Sequence, residues 1–143
     1  MPLHIIKLSV GVSSIGELRE SQARRMETMR LRGQQPLIRH ITRNRPRRME
    51  EILAGGSMYW VIKGFIRARQ RILAFEEVDN RNDVKRCGII LDSLLIETKL
   101  QPRRPHQGWR YLEPSDAPRD ATVSKNNDLP PELATELEAL GLI

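Results

Sequence analysis

The stretch that decides the fold covers residues 37–78 and reads LIRHITRNRPRRMEEILAGGSMYWVIKGFIRARQRILAFEEV. Residues 37–42 alternate in side-chain character and predict a strand. Pro46 suits the first turn of a helix, because its missing N–H is not needed there. Gly55 and Gly56 can adopt the left-handed conformation that ends such a helix. The first half of the stretch therefore predicts a strand, a short helix and a turn.

Two apolar, extended runs make up the second half of the stretch. Ser57 to Ile62 predicts a strand, and Gly64 interrupts the pattern after it. Phe65 to Val78 is extended again, but its apolar residues change sides partway along. This change predicts a β-bulge near Gln70–Ile72. A helix from Arg67 to Glu77 is the competing interpretation.

The remaining elements follow from periodicity, caps and turn residues. Ser14 and Glu17 have the spacing of a capping box, which marks the start of a helix. In chain order the sequence predicts a strand over 4–12, a helix over 14–32, a strand over 86–91 that bends and continues to 96, a loop over 101–108, a strand over 109–112 and a helix over 130–140.

The elements do not alternate regularly between strand and helix, which favours an α+β fold. We expect residues 1–112 to form a single α+β domain built on a small, mostly antiparallel, barrel-like sheet with flanking helices. We expect residues 113–143 to form an acidic tail with a short C-terminal helix. That tail either packs on its own domain or serves as a homodimer contact.

Charge is unevenly distributed along the 143 residues, whose formal net charge is +6. Residues 1–75 hold 15 Lys and Arg against 5 Asp and Glu, whereas residues 76–143 hold 9 against 13. A basic half and an acidic end indicate a polyanion-binding face with a tail that could shield it. The alternative interpretation is that the charge serves solubility alone.

Several classes of protein are disfavoured by the composition. Cys87 is the only cysteine, so no intramolecular disulfide forms, and no Cys/His cluster has zinc spacing. The N-terminus lacks the pattern of a signal peptide, and no apolar run has the length of a membrane span. We therefore expect a cytoplasmic protein with no metal site, no cofactor and no membrane partner.

Arginine-rich segments and interspersed aromatic residues favour nucleic-acid binding. Phosphates need several cations, and bases need flat side chains on which to stack. Trp60 and Trp109 lie in strand-like runs, so a core position is the alternative for both. The candidate nucleic-acid-binding residues are Arg43, Arg45, Arg47, Arg48, Ser57, Tyr59, Trp60, Lys63, Arg67, Arg69, Arg103, Arg104 and Trp109.

The most local prediction concerns the start of the short helix. Arg47 and Arg48 fall in its predicted first turn, where cations oppose the helix dipole. Free N–H groups of that turn, together with the guanidinium groups, would bind an anion. In the alternative interpretation, Glu50 and Glu51 offset the arginines on a solvated face.

Catalytic signals are sparse, and we predict no catalytic residue. His4, His40 and His106 are far apart in the sequence and have no known catalytic spacing. The Gly-x-Ser-x-Gly pattern of a nucleophile turn is missing around Ser57, and Gly55-Gly56-Ser57 lacks the rest of a phosphate-binding loop. Binding of RNA is therefore preferred to two alternatives, a small RNA-processing enzyme and a protein-interaction or assembly factor.

Three sequence blocks resemble an uncharacterised family of alphaproteobacterial proteins catalogued as a domain of unknown function. They are His40 to Arg48, Ala54 to Gly64 and Arg103 to Leu112, and the resemblance extends to about Arg119. The layout of elements also resembles the PUA-like superfamily, which includes the ASCH and EVE domains. The Gly-x-Lys-x-x-Glu-x-Arg motif of ASCH domains is absent, so no catalytic residue is transferred. The second resemblance implies binding of RNA or of a modified nucleotide on a barrel.

Overall fold

A computed structural model of the protein describes residues 2–79 and 85–121. The elements in these ranges are β1 His4–Leu8, α1 Ile15–Leu31, β2 Ile38–Thr42, α2 Met49–Leu53, β3 Ser57–Ile62, β4 Phe65–Asp79, β5 Lys85–Leu91, β6 Ile96–Pro102, β7 Trp109–Leu112 and a single 3-10 turn at Pro114–Asp116. The helix predicted over 130–140 lies outside the described residues.

The strands form one mixed sheet with the order β2-β5-β4-β3-β1-β7, and β6 pairs with β4 off this path. β1 and β3 are parallel, while the other pairs are antiparallel. The fold is therefore rich in sheet with few helices, as expected in outline. The predicted barrel is not closed, because in the described part of the chain the end strands β2 and β7 do not pair with each other.

β4 is a long strand that pairs with two groups of neighbours. Its first half pairs with β3 and β6, and its second half pairs with β5. The register shifts at Arg67 and again between Ile72 and Ala74, next to the bulge predicted at Gln70–Ile72. The bulge at Arg67 turns Ile66 and the following alanine to opposite faces. The competing helix over Arg67–Glu77 does not form.

Both faces of the centre of the sheet are covered. Every residue of β3 is buried; Met58 and Trp60 belong to the larger core cluster, whereas Tyr59 and Val61 belong to a smaller cluster on the other face. The larger cluster lies under α1 and α2, and Ala117, just after the 3-10 turn, packs against the smaller one. β3 is thus a central strand buried on both sides.

The start of α1 agrees with the capping prediction. Ser14 is the N-cap, and its Oγ accepts a hydrogen bond from the backbone N–H of Glu17 at 3.1 Å. The Glu17 carboxylate accepts from the backbone N–H of Ser13 at 2.9 Å rather than from that of the cap residue. The helix ends at its C-cap Arg32, beside Gly33 at a φ of +73°.

Two sequence predictions are corrected here. α2 begins at Met49 after the N-cap Arg48, not at Pro46, and the backbone of Arg48 is not helical. The second correction concerns residues 96–102, which form the separate strand β6 on β4 instead of ending an extended β5. The chain bends between them, where Asp92 Oδ1 accepts from the backbone N–H of Leu94 at 3.0 Å.

The described part of the predicted tail lies along β6. The backbone N–H of Lys99 donates to the carbonyl of Arg119 at 2.8 Å, and the N–H of Ala121 donates to that of Glu97 at 2.9 Å. Residues 119–121 are therefore hydrogen-bonded to the sheet. The domain boundary at residue 112 stays a prediction.

Candidate nucleic-acid interface

The segment 43–48, which follows β2, is fastened to β7 by two aromatic side chains. Trp109 Nε1 donates to the carbonyl oxygen of Asn44 at 2.9 Å. The Tyr111 hydroxyl accepts from the backbone N–H groups of Arg47 and Arg48, at 2.9 and 3.3 Å. The two aromatic rings contact each other edge to face with centroids 4.9 Å apart. These contacts fix the backbone of the arginine-rich segment against β7, the last strand in the sheet order.

The side chains of Arg43, Arg45 and Arg47 project from this fixed backbone into solvent. Arg45 Nε lies 3.3 Å from the sulfur of Met49. Among the described residues, none of the three guanidinium groups forms an ion pair with a carboxylate. They are therefore available to an external anion.

Arg48 is engaged within the protein. Its guanidinium binds the Glu51 carboxylate at 2.5 and 2.8 Å and Glu113 at 3.4 Å, and it lies 5.5 Å from the centroid of the Tyr111 ring. The hydrogen bond to Glu51 is the main cause of the raised pKa of Arg48, and in turn it lowers the pKa of Glu51. At the predicted anion site the Arg48 guanidinium is therefore bound by carboxylates of the protein. The backbone N–H groups of Arg47 and Arg48 are bound by the Tyr111 hydroxyl.

Three of the predicted contact residues lie in the interior. Ser57 is fully buried; its backbone N–H donates to His4 Nδ1 at 3.0 Å. Tyr59 packs edge to face on the same imidazole, with centroids 5.0 Å apart. Trp60 is 5% exposed and donates from Nε1 to Gln70 Oε1 at 2.9 Å. None of the three presents a free face to a ligand outside the sheet.

Arg67 and Arg69 also have partners inside the fold. Arg69 binds both carboxylate oxygens of Asp120, at 2.7 and 2.8 Å, and donates to Ser57 Oγ at 2.9 Å. The hydrogen bond from Arg69 lowers the pKa of the Asp120 carboxyl. Arg67 donates to the carbonyl of Ile62 at 2.8 Å and stacks over the Phe65 ring at 5.4 Å. Both arginines therefore stabilise β4 and its neighbours.

The other predicted cations lie on two adjoining turns. Lys63 and Gly64 connect β3 to β4, and both have positive φ, +50° and +80°. The backbone N–H of Arg103 donates to the Gly64 carbonyl at 2.9 Å, so the loop 103–108 lies against this turn. Lys63 and Arg104 are exposed. That loop leads directly into Trp109, whose Nε1 binds the segment 43–48 at Asn44.

The sequence reasoning did not single out Lys7, which lies on the inner side of the sheet with Ile5. Lys7 of β1 is in register with Trp60 on one side and Trp109 on the other. His40 of β2 packs edge to face on Trp60, with centroids 5.6 Å apart. Burial is the main cause that lowers the pKa of His40 to about 4, and the charges of Lys7 and Arg25 contribute. The sequence signal for this position was Ile5, which lies on the same face of β1 as Lys7 and makes that face apolar as well.

A cleft of about 640 Å³ separates α1 from the edge of β2. Arg24, Arg25, Met29, Arg39 and Ile41 are among its lining residues. Arg39 is paired with Glu76, whereas Arg24 and Arg25 have no carboxylate partner in the described part of the chain. The cleft thus combines apolar side chains with two α1 arginines that pair with no described carboxylate.

Residues 2–79 and 85–121 contain no group of three or more His, Cys, Asp or Glu side chains placed to hold a metal ion. Cys87 is buried, and burial raises the pKa of its thiol. Of the helices described, none has the length and apolar character needed to cross a bilayer.

The comparison with protein families gives one match. The family described as a protein of unknown function, DUF1489, matches residues 5–143. No curated protein matches the chain, and no solved structure matches it.

Proposed function

The chain belongs to the DUF1489 family of proteins of unknown function, and we propose that it is a nucleic-acid-binding protein that holds RNA or a modified nucleotide through an arginine-rich face. The centre of this face is the segment 43–47. The proposal rests on the residues themselves, since the family description assigns no activity.

One observation carries the proposal: Arg43, Arg45 and Arg47 are exposed on a backbone that Trp109 and Tyr111 hold in place. Guanidinium groups match the geometry of phosphate oxygens. A fixed backbone reduces the entropy that is lost when these side chains engage a ligand. Because no described carboxylate competes for the three arginines, their charge is directed to an outside partner.

Neighbouring cations extend this face. Lys63 and Arg104 are exposed, and Arg103 is half-buried on the loop that leads into β7. Trp109 is also half-buried, and its indole N–H binds the arginine segment at the Asn44 carbonyl. A strand of nucleic acid that follows the segment 43–47 towards this loop would meet several cations in succession, as phosphate binding requires.

Two further features support a PUA-like kinship as part of the proposal. The short helix α2 ends at a Gly-Gly pair that leads directly into β3. The sheet also curls enough for the segment after β2 to hydrogen-bond with side chains of β7. A cytoplasmic location belongs to the same proposal, since that is where RNA is encountered.

The proposal is tested by measuring binding of fluorescent single-stranded RNA over a range of salt concentrations. Wild-type affinity should fall steeply with salt, because phosphate contacts release counterions. The double variant Arg45→Gln/Arg47→Gln should bind more weakly. Its logarithmic salt slope should be shallower by roughly 1.4, since each contact on a single strand contributes about 0.7.

The matched control is Arg24→Gln/Arg32→Gln, which removes the same charge from exposed positions at α1. This control should retain nearly wild-type affinity. Equal losses in the two double variants would mean diffuse attraction without a defined face. Absence of wild-type binding to both RNA and single-stranded DNA at low salt would refute the proposed function.

A further inference from the structure

A groove of about 470 Å³ lies between α1 and the bend that joins β5 to β6. Ala23 and Met26 belong to its helical wall, and Leu94 and Leu95 belong to the opposite wall. Leu95 is buried, whereas Leu94 is 63% exposed. Met26 packs against the larger core cluster but is only half-buried. The groove therefore presents apolar surface, continuous with the core, that the described part of the chain leaves open.

The end of the described chain is directed at this groove. Thr98 and Asp120 form an antiparallel bridge, and the backbone N–H of Ala121 donates to the carbonyl of Glu97 at 2.9 Å. Because the pairing is antiparallel, the chain advances along β6 towards Leu95. Leu95 is two residues from Glu97, which corresponds to roughly 7 Å of extended chain. The chain thus leaves its described part beside the groove.

The sequence beyond this point has the apolar pattern of a helix that binds in a groove. Leu133, Leu137 and Leu140 are spaced at i, i+4 and i+7, which places them on one face of a helix. We call these three residues the leucine stripe. Residues 122–132 can span up to roughly 36 Å when extended, more than the roughly 25 Å length of the 17-residue α1. The stripe can therefore reach any point along the groove.

Charge is complementary between the two surfaces. Residues 126–143 hold four Asp and Glu and no Lys or Arg, whereas residues 15–32 hold five Arg and three Glu. Arg19, which lines the groove, has no carboxylate partner among residues 2–79 and 85–121. Glu132 and Glu136 each precede a residue of the leucine stripe. Exposed ion pairs contribute little individually, so the leucines carry most of the affinity and the charges favour the orientation.

We propose that the segment 129–142 binds in this groove of its own chain, with the leucine stripe against Met26 and Leu94. The inference does not depend on binding of RNA by the segment 43–47. The family match includes the segment together with α1 and the sheet, because it extends through residue 143. The same segment of a second copy is the competing occupant. A tether that starts beside the groove favours the segment of the same chain, because it raises the effective concentration.

The first test uses the Met26 methyl group as an NMR reporter in the full chain. Leu137→Asp introduces a charge into the middle of the leucine stripe, so it should release the segment and shift the Met26 signal. Thr135→Asp is the matched control, because it adds the same charge on the opposite face of the predicted helix. It should leave the Met26 signal unchanged. A Met26 signal that is the same in the wild type and in Leu137→Asp would overturn the inference.

The second test changes the groove and observes the segment. In the wild type the amides of residues 133–140 should be protected from hydrogen exchange. Leu94→Asp should make them exchange at least about tenfold faster, because the docked state is lost. Val10→Asp is the control, since Val10 is also highly exposed, at 82%, and lies in a turn away from the groove. Equal exchange in these two variants would contradict docking against Leu94.

Protein concentration distinguishes the two occupants. A segment that binds its own chain should give the same Met26 signal and the same protection in dilute and concentrated samples. Sedimentation of the wild type measures the oligomeric state over the same range. Protection that appears only where the wild type forms a dimer would mean that a second copy fills the groove, and it would overturn the inference.

Discussion

The side-chain amides of Gln22 and Gln70 bind each other in both directions, with Nε2 of each donating to Oε1 of the other at 2.8 Å. Gln22 lies on α1 and Gln70 on β4, and both are buried. Gln70 also accepts from Trp60 Nε1 at 2.9 Å and donates to the carbonyl of Asp92 at 3.0 Å. One buried amide therefore joins the helix to β3, to β4 and to the bend after β5.

We expect Gln70→Leu to reduce the free energy of unfolding by at least about 2 kcal/mol. The substitution keeps the side-chain volume but leaves the Gln22 amide and the Trp60 N–H without partners, and each buried unsatisfied group costs roughly 1–3 kcal/mol. Denaturant titration measures the change. Gln34→Leu, at an exposed position, serves as the control and should be nearly neutral. A loss no larger than in the control would show that the amide pair does not hold α1 in place.

We expect Tyr111→Phe to lower stability by about 1 kcal/mol, the usual contribution of a hydrogen bond. The variant removes the hydroxyl that accepts from the N–H groups of Arg47 and Arg48. Tyr59→Phe is the matched control, because the Tyr59 hydroxyl forms no hydrogen bond with the residues described, and it should be nearly neutral. Thermal melts of the two variants give the comparison. Equal melting temperatures would mean that Tyr111 does not anchor the segment 43–48.

Stability should decrease between about pH 6.5 and pH 4 because of His40. Its pKa is about 4 in the folded protein, against an ordinary histidine value of 6.5 that applies to the unfolded chain. In this range the unfolded chain therefore binds a proton that the folded protein excludes. Well above pH 6.5 the imidazole is neutral in both states, and His40 does not reduce stability. Below that pH, protonation of the unfolded chain lowers the free energy of unfolding, by on the order of 2 kcal/mol at pH 5.

His4 and His106 also have lowered pKa values, so the test compares the wild type with His40→Gln. Denaturant titrations at pH 7 and pH 5 should show a smaller loss on acidification for the variant. If the two proteins lose the same free energy, His40 is not held neutral by burial.

Gly56→Ala should be strongly destabilising. A Cβ at Gly56 would lie 2.1 Å from the carbonyl oxygen of Leu3 and 2.6 Å from that of Ile52, and backbone atoms cannot move aside as the end of a side chain can. Gly16→Ala in α1 is the control; its nearest neighbour would be Ser14 Oγ at 3.7 Å, and it should stabilise the helix by roughly 0.5–1 kcal/mol. Opposite changes in melting temperature are expected, and a tolerated Gly56→Ala would contradict this packing.

Local sequence pattern was sufficient where an element is defined by its own residues. The strands Ser57–Ile62 and Trp109–Leu112 and the helix cap at Ser14 agree with the structure. β6 was missed because Glu97 and Lys99 interrupt its apolar pattern; its extended form comes from pairing with β4. The start of α2 was misplaced because the Tyr111 hydroxyl, distant in sequence, binds the backbone N–H groups that Pro46 was expected to place in a helix.

In the candidate site, too, the sequence located what local residues define and missed what distant contacts define. The sequence pointed to the exposed arginines of the segment 43–47, and its alternative interpretation named Glu51, which pairs with Arg48. It could not show that Arg69 is neutralised by Asp120, which lies far along the chain. It also did not single out Lys7, because strand alternation does not reveal when both faces of a strand are covered.

The pairing of β1 with both β3 and β7 has a consequence for synthesis of the protein. The first strand emerges from the ribosome early, but one of its neighbours begins at Ser57 and the other at Trp109. One edge of β1 therefore has no native partner until β3 has been translated, and the other has none until β7 has been translated. Contacts of such large sequence separation slow folding, and strand edges that wait for their partners are prone to mispairing.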